Sequence, residues 1–363
     1  MSTGPTNLLF QLEPSLLLDA FVRFPPVDFS AWSLPEGGCA FAADYDLLTT
    51  LEPDLLQRLH PWVERFGLRR WVTHRTVFVG ATVSEYAVIP LVEPQSWLKT
   101  LVAQYSPKHW LVVIKDLPCR SPLLSEVENA HADALIAAGR RQGWLEVEGM
   151  ALAFVPVRAD WSEEDFLASC SKARRKDFRR KLRARSGLQI RTLYAGDPCF
   201  QSDALIQSWY ELYLAVYEQS QFHFDRLSLG FLTCLLREPT GAIIFCYEQD
   251  EVLLGWNLCF VHEGRLIDKY IGLAYPQARE AHLYFVSWFH NMNWAHAQGL
   301  HTYVAGWTDP EVKATLGASF TMTRHLVYIR PRLLRMILNR LRFLFEYDHV
   351  LAERLENTPR EQS

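Results

Sequence analysis

The sequence predicts an α/β protein built as two halves of similar plan. Stretches of β-branched or alternating apolar residues take turns with stretches of helical spacing, the pattern of layered α/β packing. The order of elements before a basic stretch at Ser171 returns after it. A length of 363 residues suits two domains of about 150 each, and a hydrophobic content of 49% with 13% aromatics is enough for two cores.

The elements follow in order. Residues 1–35 read as a leading segment with a short helix and several prolines. A first domain spans residues 36–165. It opens with a strand at CAFAADYD and a helix carrying Leu51, Leu55, Leu56 and Leu59. HRTVFVGATVSEYAVIPL alternates Val77, Val79, Ala81 and Val83, a strand pattern. HWLVVIKDLP reads as a buried strand. SEVENAHADALIAAGRRQG is a helix with Ser125 as cap, Glu128 three residues on and Gly143 as stop. WLEVEGMALAFVPV is a strand or hairpin. A second domain spans residues 166–330 and begins with the basic helix. Its next helix carries Leu205, Trp209, Leu212 and Val216 on one face. Three strands joined by the turns EQDE and HEGR come next, then an apolar helix stopped by Gly299. HTYVAGW is a strand, DPEVKATLG a short helix with Asp309 and Pro310 at its start, and TRHLVYIRP a last strand. Residues 331–363 read as an amphipathic helix, with Leu334, Ile337, Leu341 and Leu344 as its apolar face and Arg335, Arg340 and Arg342 around it, followed by a polar tail.

Composition excludes several classes. The first apolar runs lack the basic flank of a signal peptide, and no apolar window reaches the roughly 18 residues of a spanning helix. The seven cysteines form no C-x-x-C pair and the twelve histidines are dispersed, so neither a disulfide frame nor a metal site is expected. These features point to a cytoplasmic protein with reduced thiols.

One stretch departs from the acidic average. From Ser171 to Arg191 ten Lys or Arg stand against Asp177 alone, a local charge of +9 in a chain of net −4, so the remainder stands at −13. As a helix it has basic residues all round and a narrow apolar seam of Phe178 and Leu182. Like charges four apart, such as Arg175–Arg179 and Arg179–Arg183, cost roughly 0.2–0.5 kcal/mol per pair, which a bound anion would relieve. Arg174, Arg175, Arg179, Arg180 and Arg183 are therefore candidate phosphate or RNA ligands; a solvated surface helix and a membrane-surface contact are the alternatives.

Three stretches carry a resemblance. LIDKYIGLAYPQAREAHLYFVSWFHNMNWAHAQGL resembles the central strand and following helix of the GNAT acyltransferase fold in its FemAB-like, tandem-domain branch. YVAGWTDPEVKATLGA is similar to the glycine-bearing strand end and Lys-x-x-x-Gly-Ala turn of that branch, here Lys313, Gly317 and Ala318. VFVGATVSEYAVIP with LVVIKDLPCRSPLL resembles the first domain of the tandem proteins. The resemblance implies an α/β fold of two GNAT-like (acyl-CoA N-acyltransferase-like) domains in tandem with mixed sheets, plus the C-terminal helix. It also implies acyl or aminoacyl transfer to an amine. One departure has chemical weight: where acetyl-CoA-dependent members show Gln/Arg-x-x-Gly-x-Gly/Ala, this chain reads Gln277-Ala-Arg-Glu280-Ala-His282. Both glycines that let backbone N–H groups cradle a pyrophosphate are missing.

Amide formation needs a held donor carbonyl, donors for the developing oxyanion and a route for the ammonium proton. Asp268, Glu280, His282 and Lys313 are the candidate catalytic residues: Asp268 to bind or deprotonate an amine, Glu280 and His282 as a base–acid pair, Lys313 to anchor an anion or an oxyanion. On a regular strand Asp268 and Tyr270 share one face and Lys269 takes the other. Lys269, Tyr270, Tyr303, Trp307, Glu85 and Lys115 are candidate substrate contacts, with Asp116 beside the last, in a groove expected between the two lobes. For each a structural role, as interstrand ion pair, helix-dipole partner or packing residue, is the alternative. The expected chemistry is an acyltransferase or aminoacyltransferase acting on a small-molecule or peptide amine. No cofactor is tightly bound; aminoacyl-tRNA or acyl-CoA is the co-substrate. A catalytically degenerate GNAT pair acting as a binding or scaffold protein is the alternative, and the C-terminal helix offers a peripheral membrane or dimer contact.

Overall fold

The computed structural model describes residues 7–46, 65, 73–220, 223–333 and 335–336. The helix expected over Leu51–Leu59 and nearly all of the C-terminal amphipathic helix lie outside the described residues. The rest falls into two units, one running up to Leu152 and resuming at Phe320, the other Ala153–Ser319.

The first unit contains β1 (Leu8–Leu9), α1 (Leu16–Arg23), β2 (Ser30–Ser33), β3 (Cys39–Asp46), β4 (Thr73–Val79), β5 (Ile89–Pro90), α2 (Pro94–Tyr105), β6 (Leu111–Cys119), α3 (Glu126–Arg141) and the start of β7 (Leu145–Pro156). The second contains the end of β7, α4 (Glu163–Ser169), α5 (Lys172–Leu182), β8 (Gln189–Tyr194), α6 (Asp203–Gln219), α7 (Leu229–Arg237), β9 (Ala242–Gln249), β10 (Val252–His262), β11 (Arg265–Leu273), α8 (Gln277–Glu280), α9 (Leu283–Ala297), β12 (Thr302–Gly306) and α10 (Pro310–Thr315). The chain then enters β13 (Ser319–Ile329).

In the first unit the strand order is β2-β3-β4-β6-β13-β7. β4 and β6 are parallel from Val77↔Val112 to Val79↔Ile114, and β13 is antiparallel to β6 from Met322↔Cys119 to Ile329↔Leu111. The last strand thus belongs to the first unit and not, as the sequence order suggests, to the second. α3 starts with a complete capping box: the Ser125 side chain accepts from the Glu128 N–H, and the Glu128 carboxylate accepts from the Ser125 N–H. The long alternating stretch does not continue as one strand. Gly80, at φ +113, ends β4, and residues 83–88 form a buried loop that leads into β5. Alternation of apolar residues cannot register a turn that only glycine adopts easily.

In the second unit the order is β7-β12-β11-β10-β9-β8, with WLEVEGMALAFVPV one continuous strand rather than a hairpin. β9, β10 and β11 form an antiparallel meander. Its two turns, Asp250-Glu251 and Glu263-Gly264, place both central residues at positive φ, the two-residue geometry whose twist matches paired strands. One face of this sheet carries α9. The other carries α6 and α7, where Trp209 stacks on Trp256 at 5.7 Å and Phe231 meets Tyr270 at 5.9 Å.

Candidate active site

β11 and β12 run parallel but pair over three residues only, ending at Ile267↔Val304. Beyond that point the strands part, and Asp268 is the first residue past the fork. Room remains there: a Cβ placed on Gly306 (φ +74) meets only the Asp268 carbonyl oxygen, at 3.9 Å. Openings at the carboxyl ends of parallel strands are where α/β sheets hold ligands.

Opposite the fork the β10–β11 ladder slips by one. Cys259 faces Asp268 and Leu258 faces Tyr270, so Lys269 is the extra residue of a bulge. A bulge reverses the alternation that follows it. Asp268 therefore shares the α9 face with Cys259 and Asn257, while Tyr270 points with Leu258 to the α6–α7 face. The expected shared face of Asp268 and Tyr270 does not exist, because the extra residue between them turns one away.

The Asp268 carboxylate is held by three donors. Asn257 Nδ2 donates to Oδ1 at 2.6 Å; Tyr303 Oη and Asn291 Nδ2 donate to Oδ2 at 2.7 and 3.2 Å. Asn291 Nδ2 also lies 2.8 Å from Asn257 Oδ1, which closes the network between strand and helix. Asn257 and Asn291 are 1% and 0% exposed. Burial, with the Asp268 charge beside it, holds the Tyr303 phenol well above its ordinary range. The sequence reading missed both asparagines. Their only signal was amides set in two apolar stretches, one in GWNLCF and two in FHNMNW, and a buried amide demands partners.

The strand-to-helix turn follows. Arg279 stacks on Tyr275 at 4.8 Å and donates to Gln219 Oε1. Glu280 is exposed. His282 adopts a left-handed conformation (φ 49) as the cap of α9, and Arg180 Nη1 lies 3.2 Å from its Nε2. Arginine only donates, so this nitrogen accepts and the ring is neutral. Burial and then the Arg180 and Lys181 charges push the His282 pKa down. No hydrogen bond joins Glu280 to His282 among the described residues, so the expected base–acid pair is not formed.

α5 is seated by its apolar seam. Phe178 and Leu182 are buried, with Phe178 4.8 Å from Phe285 and stacked on Phe166 at 6.3 Å. Asp177 pairs with Arg180 and Lys181 on the same helix. Arg174, Arg179 and Arg183 are exposed, Arg175 half-buried, and none of the four has a carboxylate partner among the described residues. The seam thus seats α5 on α9 and sets Arg180 and Lys181 beside the first turn of α9, whose N-terminus carries the positive end of its own dipole.

Lys313 differs from expectation. It is 4% exposed and its Nζ donates to the Ala305 carbonyl at 2.5 Å, which fastens α10 to the end of β12. It is buried rather than set at the surface to meet an anion, and Gly317 (φ +87) turns the chain after α10. Trp307 follows the strand end, half-buried. Glu85 and Lys115 belong to the first unit. The Glu85 N–H donates to Glu13 Oε1 at 2.7 Å, and Lys115 pairs with Asp116 and reaches the Ala81 carbonyl at 3.4 Å. Among the described residues no cluster of His, Cys, Asp or Glu suits a metal ion, and no helix is long and apolar enough to cross a membrane.

Comparison with known proteins agrees with this topology. Residues 171–314 match the family model described as acetyltransferase (GNAT) domain. No curated protein matches the sequence. Among solved structures, the C-terminal domain (DUF2156) of a putative lysylphosphatidylglycerol synthetase from Agrobacterium fabrum aligns with TM-score 0.52 at 11% identity, over 86% of this chain and 89% of that one. L-PGS from Bacillus licheniformis aligns with TM-score 0.51 at 10% identity, over 91% and 97%. FemX aligns with TM-score 0.45 at 12% identity, over 74% and 83%.

Proposed function

We propose that this chain, whose residues 171–314 match the acetyltransferase (GNAT) domain model, is an aminoacyltransferase of the tandem, FemAB-like kind that takes its acyl group from aminoacyl-tRNA and forms an amide on an amine. The observation that carries this reading is the set of Arg174, Arg175, Arg179 and Arg183, without carboxylate partners among the described residues, on and at the end of a helix that Phe178 seats against Phe285 of α9. A helix of 11 residues extends over about 16 Å, more than one pyrophosphate needs and suited to several successive phosphates. The missing loop glycines, with Glu280 exposed in their place, oppose a coenzyme A pyrophosphate at the same turn. One structural neighbour is named as a domain of a putative lysylphosphatidylglycerol synthetase.

In the proposed step the amine nitrogen bonds to the donor carbonyl carbon, the ester bond to the terminal ribose breaks, and the proton lost by the amine ends on the ribose oxygen. The fork past Ile267 receives the donor carbonyl. Asp268, fixed by Asn257, Asn291 and Tyr303, orients the amine. Acyl-CoA is the second reading, favoured by the acetyltransferase description of the family that matches.

The test is tRNA binding against salt. Wild-type protein binds charged tRNA with a steep negative slope of log affinity on log salt. Replacing the four arginines by Gln lowers that slope by about 3, at roughly 0.7–0.9 per phosphate contact. Thermal stabilisation by coenzyme A with no response to tRNA would select the second reading.

A further inference from the structure

Next to the fork, inside the second unit, lies a cavity of about 110 Å³. Val155 of β7 forms its floor, and Trp288, Phe289 and Met292 of α9 form one wall. Trp161 and Phe166 cap it from the α4 side, Leu316 and Gly317 from the end of α10. Val155 pairs with Tyr303 in the β7–β12 ladder, so the floor is the same sheet face that carries Asp268. Trp288 links cavity and fork: it lines the cavity, its ring meets Tyr303 edge-on at 5.0 Å, and the Tyr303 hydroxyl donates to Asp268.

The lining carries no charged side chain and no hydroxyl. At roughly 30 Å³ per heavy atom, the share of a water in the liquid, the space holds about three or four atoms. That is the size of a branched aliphatic side chain. An ammonium group placed there would give up its hydration for aromatic faces alone, with no hydrogen-bond acceptor side chain in the lining. We propose that this cavity receives the side chain of the transferred aminoacyl group and selects an aliphatic residue of the valine, leucine or isoleucine class over lysine. The inference rests on the aminoacyl-tRNA reading above.

The experiment uses one tRNA acylated in turn with leucine, alanine or lysine, and also uncharged, with filter binding to the full chain at low salt. Leucyl-tRNA binds at least about tenfold more tightly than the uncharged form, alanyl-tRNA gains less, and lysyl-tRNA gains nothing, in line with the 10- to 200-fold that a methylene commands in an apolar pocket. Met292→Phe, which fills the space, removes the leucyl advantage and leaves the affinity for uncharged tRNA unchanged. If that variant loses its folded melting transition, Val155→Ile, which adds one methylene to the floor, is read instead and lowers the leucyl advantage. Equal affinities for leucyl- and lysyl-tRNA overturn the inference while the donor reading stands. So does a filled variant that melts higher with an unchanged leucyl preference, which marks a packing void. Failure of every tRNA form to bind overturns the donor reading, and the inference falls with it.

Discussion

His290 offers a measurement whose size follows from its surroundings. It sits on α9 with its ring 4.6 Å from Phe245 and 5.9 Å from Tyr247, both edge-on. Its Nε2 is buried with no hydrogen-bond partner. Burial first, and the Arg185 charge second, push its pKa down to about 4 from 6.5. The folded state therefore resists a proton that the unfolded chain accepts. Above pH 6.5 the ring is neutral in both states and the full stability is present. As pH falls from 6.5 to 4 stability is lost at up to about 1.4 kcal/mol per pH unit, about 2 kcal/mol by pH 5 and about 3 kcal/mol by pH 4. His290→Phe removes this titration. Urea unfolding of both proteins at pH 7.5, 6, 5 and 4, followed by tryptophan fluorescence, should show the variant gaining on the wild type by those amounts. A difference that stays constant across the series would refute the reasoning, because it would mean that the imidazole is already charged, or already solvated, in the folded protein.

Three further outcomes follow from geometry. Asn291→Leu deprives Asp268, Asn257 and Tyr303 of one shared donor in a buried setting and should cost about 2–4 kcal/mol in chemical denaturation, while Asn293→Leu, which loses a bond to Glu163 at 2.9 Å nearer the surface, should cost about 1 kcal/mol. Lys313→Met keeps the aliphatic stem but leaves the Ala305 carbonyl without its ammonium, so the fold should weaken by about 1–3 kcal/mol and hydrogen exchange should rise across residues 305–317. Gly317→Ala meets both a positive φ and the Phe166 ring at 2.9 Å. It should lower stability by about 1–3 kcal/mol, whereas Gly299→Ala, with the same sign of φ and nothing within 4 Å, should cost about 1 kcal/mol.

Much of the second unit was legible because its local signals agree with its packing. The turns at Asp250-Glu251 and Glu263-Gly264 separate the strands of the meander where the sequence places them, and Phe178 with Leu182 does form the seam of the basic helix. What escaped the sequence depends on partners remote in the chain. A bulge at Lys269 leaves no mark in composition, yet it decides which face Asp268 and Tyr270 present. Asn257 and Asn291, 34 residues apart, read as isolated polar residues until strand and helix bring them together. The last strand looks like the end of the second domain because nothing in TRHLVYIRP records that its hydrogen bonds go to β6. The burial of Lys313 depends on how α10 lies on β12, which a short helix does not announce.

The first unit repeats the parting of two parallel strands, at Val79↔Ile114, but with a different sequel. Its own loop occupies the gap: Ala87 N–H donates to the Asp116 carbonyl at 3.1 Å, Lys115 reaches Ala81, and a Cβ placed on Gly80 would meet Ala87 at 3.3 Å. That berth is taken from the moment the chain folds. On the proposed aminoacyl-tRNA reading, saturation with donor should come at a single equivalent per polypeptide, and opening a vacancy in the first unit would require removing residues 83–88 outright, since no side-chain trimming can evict a backbone.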